Sequence, residues 1–554
     1  MKKRYTVGMD FGTLSVRSVL MDADSGEEIA YEEYSYPHGV MDHCLSDGTP
    51  VKADAAYQDP ADYLLGFDTV KRVISSSGVK PDEIVSICID FTTCTILPVD
   101  EGFKPLCFDP AFSSVPHSYV KLWKHHGAQS YAESITSIAE ERKEPWLDIY
   151  GGKVSAEWAL PKIVETFFES REVYDATYRF TEAADWLSYV LTGEESHAVC
   201  FAGFKALWNE NTGYPSREFL RCVHPELGEL CATKLSDKVL GAGKIAGRLN
   251  QRGAELTGLL PGTVLGLPMI DAQASMPGLG AVGDGEMLIV VGTSNCHLIN
   301  SKKTVAVPGI AGYVNEALMP GMCTYEAGQS GAGDCFDWFV KNCVGDRYWN
   351  EARERGISIH KLLREKAEGL IPGESGLVFL DWLNGNRSVL CDYSLSGLFA
   401  GLTLSTAPEE MYRALIEAVA FGTKIIIDRY REYGVDIEGL FAAGGIPAKD
   451  PMLMQIFADV IALPITVPDC PASGARGSAV AACVAAGIYP DLSVAAHKLS
   501  PKKKKVYEPI ERNVAIYKRL FEKYLELHDH FGLCSDLMKE LRVIASDAKK
   551  LQDK

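Results

Sequence analysis

At 554 residues the chain is longer than one hydrophobic core usually organises, so more than one domain is expected. Its 47% hydrophobic and 23% charged residues are the balance of a globular protein, not of a disordered or fibrous one. A formal net charge of -19 repels nucleic acid and anionic membrane surfaces, so neither is expected as a partner.

The first segment reads strand, turn, strand, turn, strand. "RYTVGMD" leads to the tip "FGTLS", then "VRSVLMDA", a turn at Asp24-Ser25-Gly26, and "EEIAYEEY". The chain enters that first strand within a few residues, so no secretory leader is expected. "EIVSICIDF" is a compact apolar strand ending at Asp90, and residues 110–260 alternate helices with loops. The opening pattern then returns as "GEMLIVVGTSNCHLINSKK", whose tip Gly292-Thr293-Ser294-Asn295 echoes Gly12-Thr13-Leu14-Ser15. Two such hairpins, each heading one half, suggest a duplicated domain. "GLFAAGG" is a strand ending in Gly444-Gly445. After "IPAK", Asp450 and Pro451 read as the N-cap and first position of the helix "DPMLMQIFADVIA". "GARGSAVAACVAAG" is a helix of small residues suited to close packing, and "ERNVAIYKRLFEKYLELHDHF" is an amphipathic helix. No low-complexity linker separates the halves, so they are expected to be packed together or hinged.

No apolar run approaches the length that spans a bilayer. The fifteen cysteines contain no C-x-x-C, and many sit in apolar stretches read as strands, such as those holding Cys88 and Cys483. Buried thiols in a reducing, cytoplasmic setting are expected. Lys502–Lys505 is read as a solvated charge run.

A glycine-bearing tip lets phosphate approach backbone N–H groups, and Thr or Ser hydroxyls add donors. An acid beside such a tip repels phosphate unless a cation lies between, and Mg²⁺ is commonly held by one or two carboxylates, water and phosphate oxygens. Asp10 is therefore the candidate for the metal of a metal–nucleotide complex, holding Mg²⁺ through water. Gly12, Thr13, Gly292, Thr293 and Ser294 are candidates for the phosphates. Ordinary turn chemistry explains either tip alone. The two tips with Gly444-Gly445 favour nucleotide binding. Neither a Walker pattern nor the protein-kinase motif set occurs.

"GMDFGT", "VGTSNCH" and "AAGGIPAKDPMLMQIFADVIALPI", in that order, resemble the sugar-kinase branch of the actin–hexokinase–heat-shock ATPase superfamily, and within it the FGGY family of carbohydrate kinases. "IDFTTCTILPVD", "YGGKVSAEWALPKI", "AGFKALWNENTGYPS", "YEAGQSGAGDCFDWFVK" and "LDWLNGNRS" resemble the members of that family that act on ribulose. The resemblance runs over essentially the whole chain. It implies an α/β protein of two ribonuclease H-like, actin-like ATPase domains with a central cleft. A mainly sugar-binding domain would span 1–275. A mainly ATP-binding domain would span 276–554, ending in the amphipathic tail. It further implies a homodimer, ATP and Mg²⁺, and transfer of phosphate to the C5 hydroxyl of ribulose, L-ribulose favoured, in L-arabinose catabolism. Another pentulose or a polyol is the alternative substrate. A non-catalytic actin-like binder is the alternative class.

The family places its base shortly before the second tip, here Asp271 in "LGLPMIDAQASMPG". An N-cap is the other reading of that aspartate. The resemblance also carries over Thr93, Lys205 and Glu326 as sugar-pocket residues, Gly444 and Gly445 as nucleotide contacts, and Asp450 beside the adenosine loop. Asp90 is a supporting residue. Trp123, Lys124, His125 and His126 read as a hydrogen-bonded structural element, and no zinc is expected. Four positions depart from the family pattern. Thr93 stands for Ala or Gly and Gln273 for His, which bear on substrate preference. Asp450 stands for Asn and Arg476 for Leu, which are expected to bear on nucleotide affinity.

Overall fold

Two mixed sheets, each headed by a glycine-tipped hairpin, organise the computed structural model, which describes residues 3–552. The first contains β1 (Tyr5–Phe11), β2 (Ser15–Asp22), β3 (Glu28–Ser35), β4 (Ile84–Phe91), β5 (Ile245–Arg248), β6 (Val264–Gly266) and the short β7 (Met269–Ile270). Their order is β5-β6-β4-β1-β2-β3, with β7 also paired to β4. The second contains β8 (Glu286–Val291), β9 (Asn295–Ser301), β10 (Gly312–Asn315), β11 (Cys323–Gln329), β12 (Gly439–Ala443), β13 (Ile465–Pro468) and β14 (Lys504–Tyr507), in the order β10-β11-β9-β8-β12-β13-β14.

The two orders are one pattern written twice. β1 runs antiparallel to β2 and parallel to β4, and β6 continues the parallel set. β8 runs antiparallel to β9 and parallel to β12, and β13 continues the parallel set. Each sheet closes on an antiparallel strand, β5 in the first and β14 in the second. The echo between the tips therefore reflects a repeated sheet. β1 is buried along its whole length, as a strand paired on both edges and covered on both faces should be.

The halves join through helices. We label α1 (Val199–Ala206), α2 (Asp271–Leu279), α3 (Pro451–Ile461) and α4 (Ser473–Ala485). α4 lies between β13 and β14 of the second sheet in sequence but packs on β1 and β4 of the first and crosses α2. Its composition explains this approach. A Cβ at Gly8 would overlap the carbonyl oxygen of Ala475, one at Gly477 that of Ala274, and one at Gly278 that of Ser473. Backbones come that close only where side chains are absent. Thr6 and Ser86 donate hydroxyls to the carbonyls of Ala479 and Ala482 in α4, at 3.0 and 2.7 Å. A hydrophobic cluster including Val19, Cys88, Ala274, Met276, Leu288, Leu298, Ala475 and Cys483 draws on both sheets. Cys483 thus belongs to the helix of small residues read from the sequence, and not to an apolar strand. The expected boundary at 275/276 falls within α2, because that helix is part of the joint itself.

Asp450 caps α3 as expected, its carboxylate accepting the Leu453 N–H at 3.0 Å, with Pro451 next. "IPAK" lies within the short helix Gly445–Lys449. The tail forms the amphipathic helix Glu511–Asp529. No helix among the described residues is long and apolar enough to cross a membrane. All fifteen cysteines are free; Cys44, Cys222 and Cys534 are exposed, so burial is not uniform.

Candidate active site

The strand ends and helix starts nearest the joint bring three carboxylates into one neighbourhood. Asp10 and Asp90 occupy paired positions on the adjacent parallel strands β1 and β4. Asp271 opens α2. It is the first helical residue rather than the N-cap, which is Ile270, yet its carboxylate still accepts the Ala272 N–H at 2.7 Å. Burial raises the Asp271 carboxyl to about 7, and the nearby Asp10 charge pushes the same way. A carboxyl poised there exchanges protons near neutrality, as a general base requires.

Asp90 is fully buried. Ser478 of α4 donates to its Oδ2 at 2.7 Å, while its Oδ1 has no hydrogen-bond partner. Burial and the neighbouring Asp10 hold the Asp90 carboxyl well above its usual range. Asp10 is raised as well, chiefly by burial, against the pull of Arg17, whose Nη1 lies 3.2 Å from its Oδ2. A Cβ at Gly474 would crowd both carboxylates, so the first turn of α4 closes over the pair. A cation here would meet hard oxygen donors and an unpartnered carboxylate oxygen, which fits Mg²⁺. No group of three or more His, Cys, Asp or Glu residues forms a metal cage among the described residues, leaving phosphate and water to complete such a shell.

At the two tips, the Gly12 and Gly292 N–H groups close their own hairpins, donating to Ser15 and Ser294 carbonyls at 2.9 and 3.0 Å. Those glycines therefore contribute bareness rather than donors. The Thr293 carbonyl accepts the Ala332 N–H at 2.8 Å, pinning the tip while Thr293 itself remains exposed. Thr13 is engaged: its hydroxyl accepts Trp123 Nε1–H at 3.1 Å and its carbonyl accepts Gln58 Nε2–H at 2.6 Å. Gly444 has φ +109 and its missing Cβ would overlap the Val291 carbonyl, so this glycine seats β12 against β8. Gly445 faces open space. Asp450 spends one oxygen on the α3 cap and lies 3.4 Å from Arg364 through the other, which makes it a supporting residue of this region.

The sugar-pocket candidates form a bridge across the halves. Lys205, from the last turn of α1, lies 2.9 Å from Glu326 of β11. Lys205 is almost wholly buried and passes 5.6 Å from the Phe204 ring. Burial disfavours the ammonium, but Glu326 outweighs it and holds the lysine charged. The Thr93 hydroxyl is buried without a hydrogen-bond partner. Gln273 is fully buried, with neither amide atom partnered.

Two residues that sequence reasoning passed over join this bridge. Arg387 approaches Glu157 at 3.6 Å, again across the halves, and both line a cavity of about 430 Å³ with Lys205 and Glu326. They stood inside quoted stretches, "SAEW" and "GNRS", but no spacing connects positions 230 residues apart in their roles. His126 backs Glu157 at 3.2 Å, while His125 is bound by Glu165 at 2.9 Å and accepts the Ala56 N–H, so both rings serve hydrogen-bonded structure. Arg476 lies elsewhere. Its guanidinium binds Glu28 at 2.7 Å and the carbonyls of Gly26 and Leu499, tying α4 to the β2–β3 turn rather than facing the Gly444-Gly445 segment.

Residues 287–486 match the family model described as the FGGY family of carbohydrate kinases, C-terminal domain. A protein named ribulokinase from Bacillus licheniformis is 45% identical over 535 residues, covering 96% of this chain and 97% of that protein. A ribulokinase from Halalkalibacterium halodurans is 44% identical over 554 residues, covering 99% and 98%. Among solved structures, a ligand-bound xylulose kinase from Lactobacillus acidophilus superimposes with a TM-score of 0.77 at 20% identity, covering 96% of this chain and 99% of that one. A gluconate kinase from the same organism gives 0.78 at 21% identity, with coverage of 96% and 99%. These structures share the two-domain actin-like fold.

Proposed function

The chain belongs to the FGGY family of carbohydrate kinases, and on that premise we propose that it transfers the γ-phosphoryl group of ATP to the C5 hydroxyl of ribulose, L-ribulose being preferred. The product is ribulose 5-phosphate, and the step serves L-arabinose catabolism. The observation that carries this reading is Asp271, a carboxyl held near neutrality beside a lysine–glutamate bridge that spans the cleft.

Asp271 accepts the proton of the C5 hydroxyl as its oxygen attacks the γ-phosphorus and the bond to the β-phosphate oxygen breaks, releasing ADP. Such transfers pass through a loose transition state, so orientation and charge neutralisation carry most of the rate. Lys205 donates to sugar hydroxyls and Glu326 accepts from them. The buried Thr93 hydroxyl is free to hydrogen-bond another. Thr293 and Ser294 supply donors to the phosphates, and Gly12, Gly292 and Gly445 leave their approach clear. Asp10, supported by Asp90, would hold Mg²⁺ through water, and the ion would supply neutralisation of the phosphate charge. Because the bridge joins both halves, the site is complete only when they are together, which excludes water during transfer.

The test is ADP release with Mg-ATP and one acceptor at a time: L-ribulose, D-ribulose, D-xylulose, glycerol or none. Release with ribulose that falls by about 10²–10⁴-fold in Asp271→Asn is expected. Release with another acceptor instead overturns the ribulose assignment. Release that ignores both sugar and mutation overturns the sugar-kinase reading.

A further inference from the structure

Lys205 and Glu326 line the cavity of about 430 Å³, and Asp271 is not on its wall. Among its charged lining residues, four pair with opposite sign across the halves: Lys205 with Glu326, and Glu157 with Arg387. Lys205 is committed to Glu326 at hydrogen-bonding distance, whereas Arg387 meets Glu157 at 3.6 Å, longer than a hydrogen bond. A Cβ at Gly328 would lie 3.3 Å from the Arg387 side chain, so the guanidinium stem rests on β11 two positions beyond Glu326, on the same face of the strand.

Substrate chemistry supplies the other half of the argument. A 2-ketopentose closes its ring by joining the C5 oxygen to C2. A molecule whose C5 hydroxyl is free to attack phosphorus is therefore open-chain and carries a free C2 carbonyl. With C5 at Asp271 and the middle hydroxyls at Lys205 and Glu326, that carbonyl end extends into the cavity. A carbonyl oxygen only accepts hydrogen bonds and a guanidinium only donates them.

We infer that Arg387, oriented by Glu157, donates to the C2 carbonyl oxygen of the open-chain ketose and makes the site select ketoses over the corresponding polyols. The inference rests on the ribulose-kinase reading above. The second half of the chain then contributes to sugar selection as well as to nucleotide binding, and a sugar bound this way draws the halves together.

The experiment compares kcat/KM for ribulose and for ribitol, which has the same carbon chain without the carbonyl, in wild type, Arg387→Gln and Arg387→Lys. Arg387→Gln is expected to lower the ribulose-to-ribitol ratio by about 100-fold, since a site built around a hydrogen bond discriminates through it. Arg387→Lys keeps a charge facing Glu157 and reports on the same ratio if the glutamine variant does not fold; a fall of about tenfold is expected. Equal losses on both acceptors would show that Arg387 only holds the cleft closed, and no loss on either would show that it makes no contact with C2. Either result overturns the assignment while leaving the kinase reading intact. A wild type inactive on ribulose would overturn both, and is seen before any variant is measured.

Discussion

Asp271 carries its function in its environment rather than in its residue type. Its carboxyl rises from 3.8 to about 7 on folding, chiefly through burial. As a base it must be ionised, so kcat/KM for the sugar is expected to fall about tenfold per pH unit below about 7 and to level off above it. A pH–rate profile checks this, and a plateau extending down to pH 5 would remove Asp271 from the role of base. The same shift affects stability. Between about pH 4 and 7 the folded protein holds a proton that the unfolded chain has released, so stability from this group falls as pH rises through that window. Asp271→Asn lacks that slope. Its unfolding free energy relative to wild type, from denaturant melts, should climb from pH 5 to pH 8 by an amount on the order of 1–3 kcal/mol. Thr93 makes a second residue-scale case. Its buried, unpartnered hydroxyl has no structural task to lose, so Thr93→Ala should leave the unfolding free energy within about 0.5 kcal/mol of wild type. Its sugar KM should change. A large loss of stability with no change in KM would make it a packing residue.

At the scale of elements, the glycines divide into two classes that sequence does not separate. Gly477 and Gly278 let α2 and α4 cross with backbones touching, while Gly445 faces open space. Gly477→Ala is expected to cost about 3 kcal/mol, because the new methyl group meets a carbonyl oxygen on a helix held from both sides. Gly445→Ala should fold normally and change only the KM for ATP. Thermal melts of the two variants, with nucleotide kinetics for the second, decide this. Equal melting temperatures would mean that α2 and α4 can move apart freely. The hairpin tips were legible as elements because Gly, Thr and Ser punctuate two buried strands. The use of the Gly12 and Gly292 amides inside their own hairpins was not legible, since turn closure depends on backbone geometry.

At the scale of the whole molecule, polar ties across the joint and cleft hold two copies of one sheet in register. Lys205–Glu326 and Arg387–Glu157 span the cleft, and Arg476 fastens α4 to the first sheet. Breaking a buried pair from one side leaves an uncompensated charge. Lys205→Met is expected to destabilise the protein by about 3 kcal/mol and to raise the sugar KM steeply, with the ATP KM affected less. Calorimetry and two-substrate kinetics check both parts. If the two KM values rose together, the bridge would be serving closure alone.

Much of this protein was determined by its sequence. The order of strands and tips, the cap at Asp450 and the two-part plan follow from local periodicity and turn chemistry, which short segments carry unaided. The family resemblance extended this to Asp271, Thr93, Lys205 and Glu326. Only the tertiary structure decided how those residues meet. It brought Asp10 beside Asp90, set α4 of the second half on the first sheet, and gave Arg476 its contacts with Glu28, Gly26 and Leu499. It also placed Glu157 and Arg387, 230 residues apart, on one wall. The physical reason is range: periodicity and capping act within a few residues, whereas burial, charge pairing and proton affinity depend on neighbours that only the closed fold supplies.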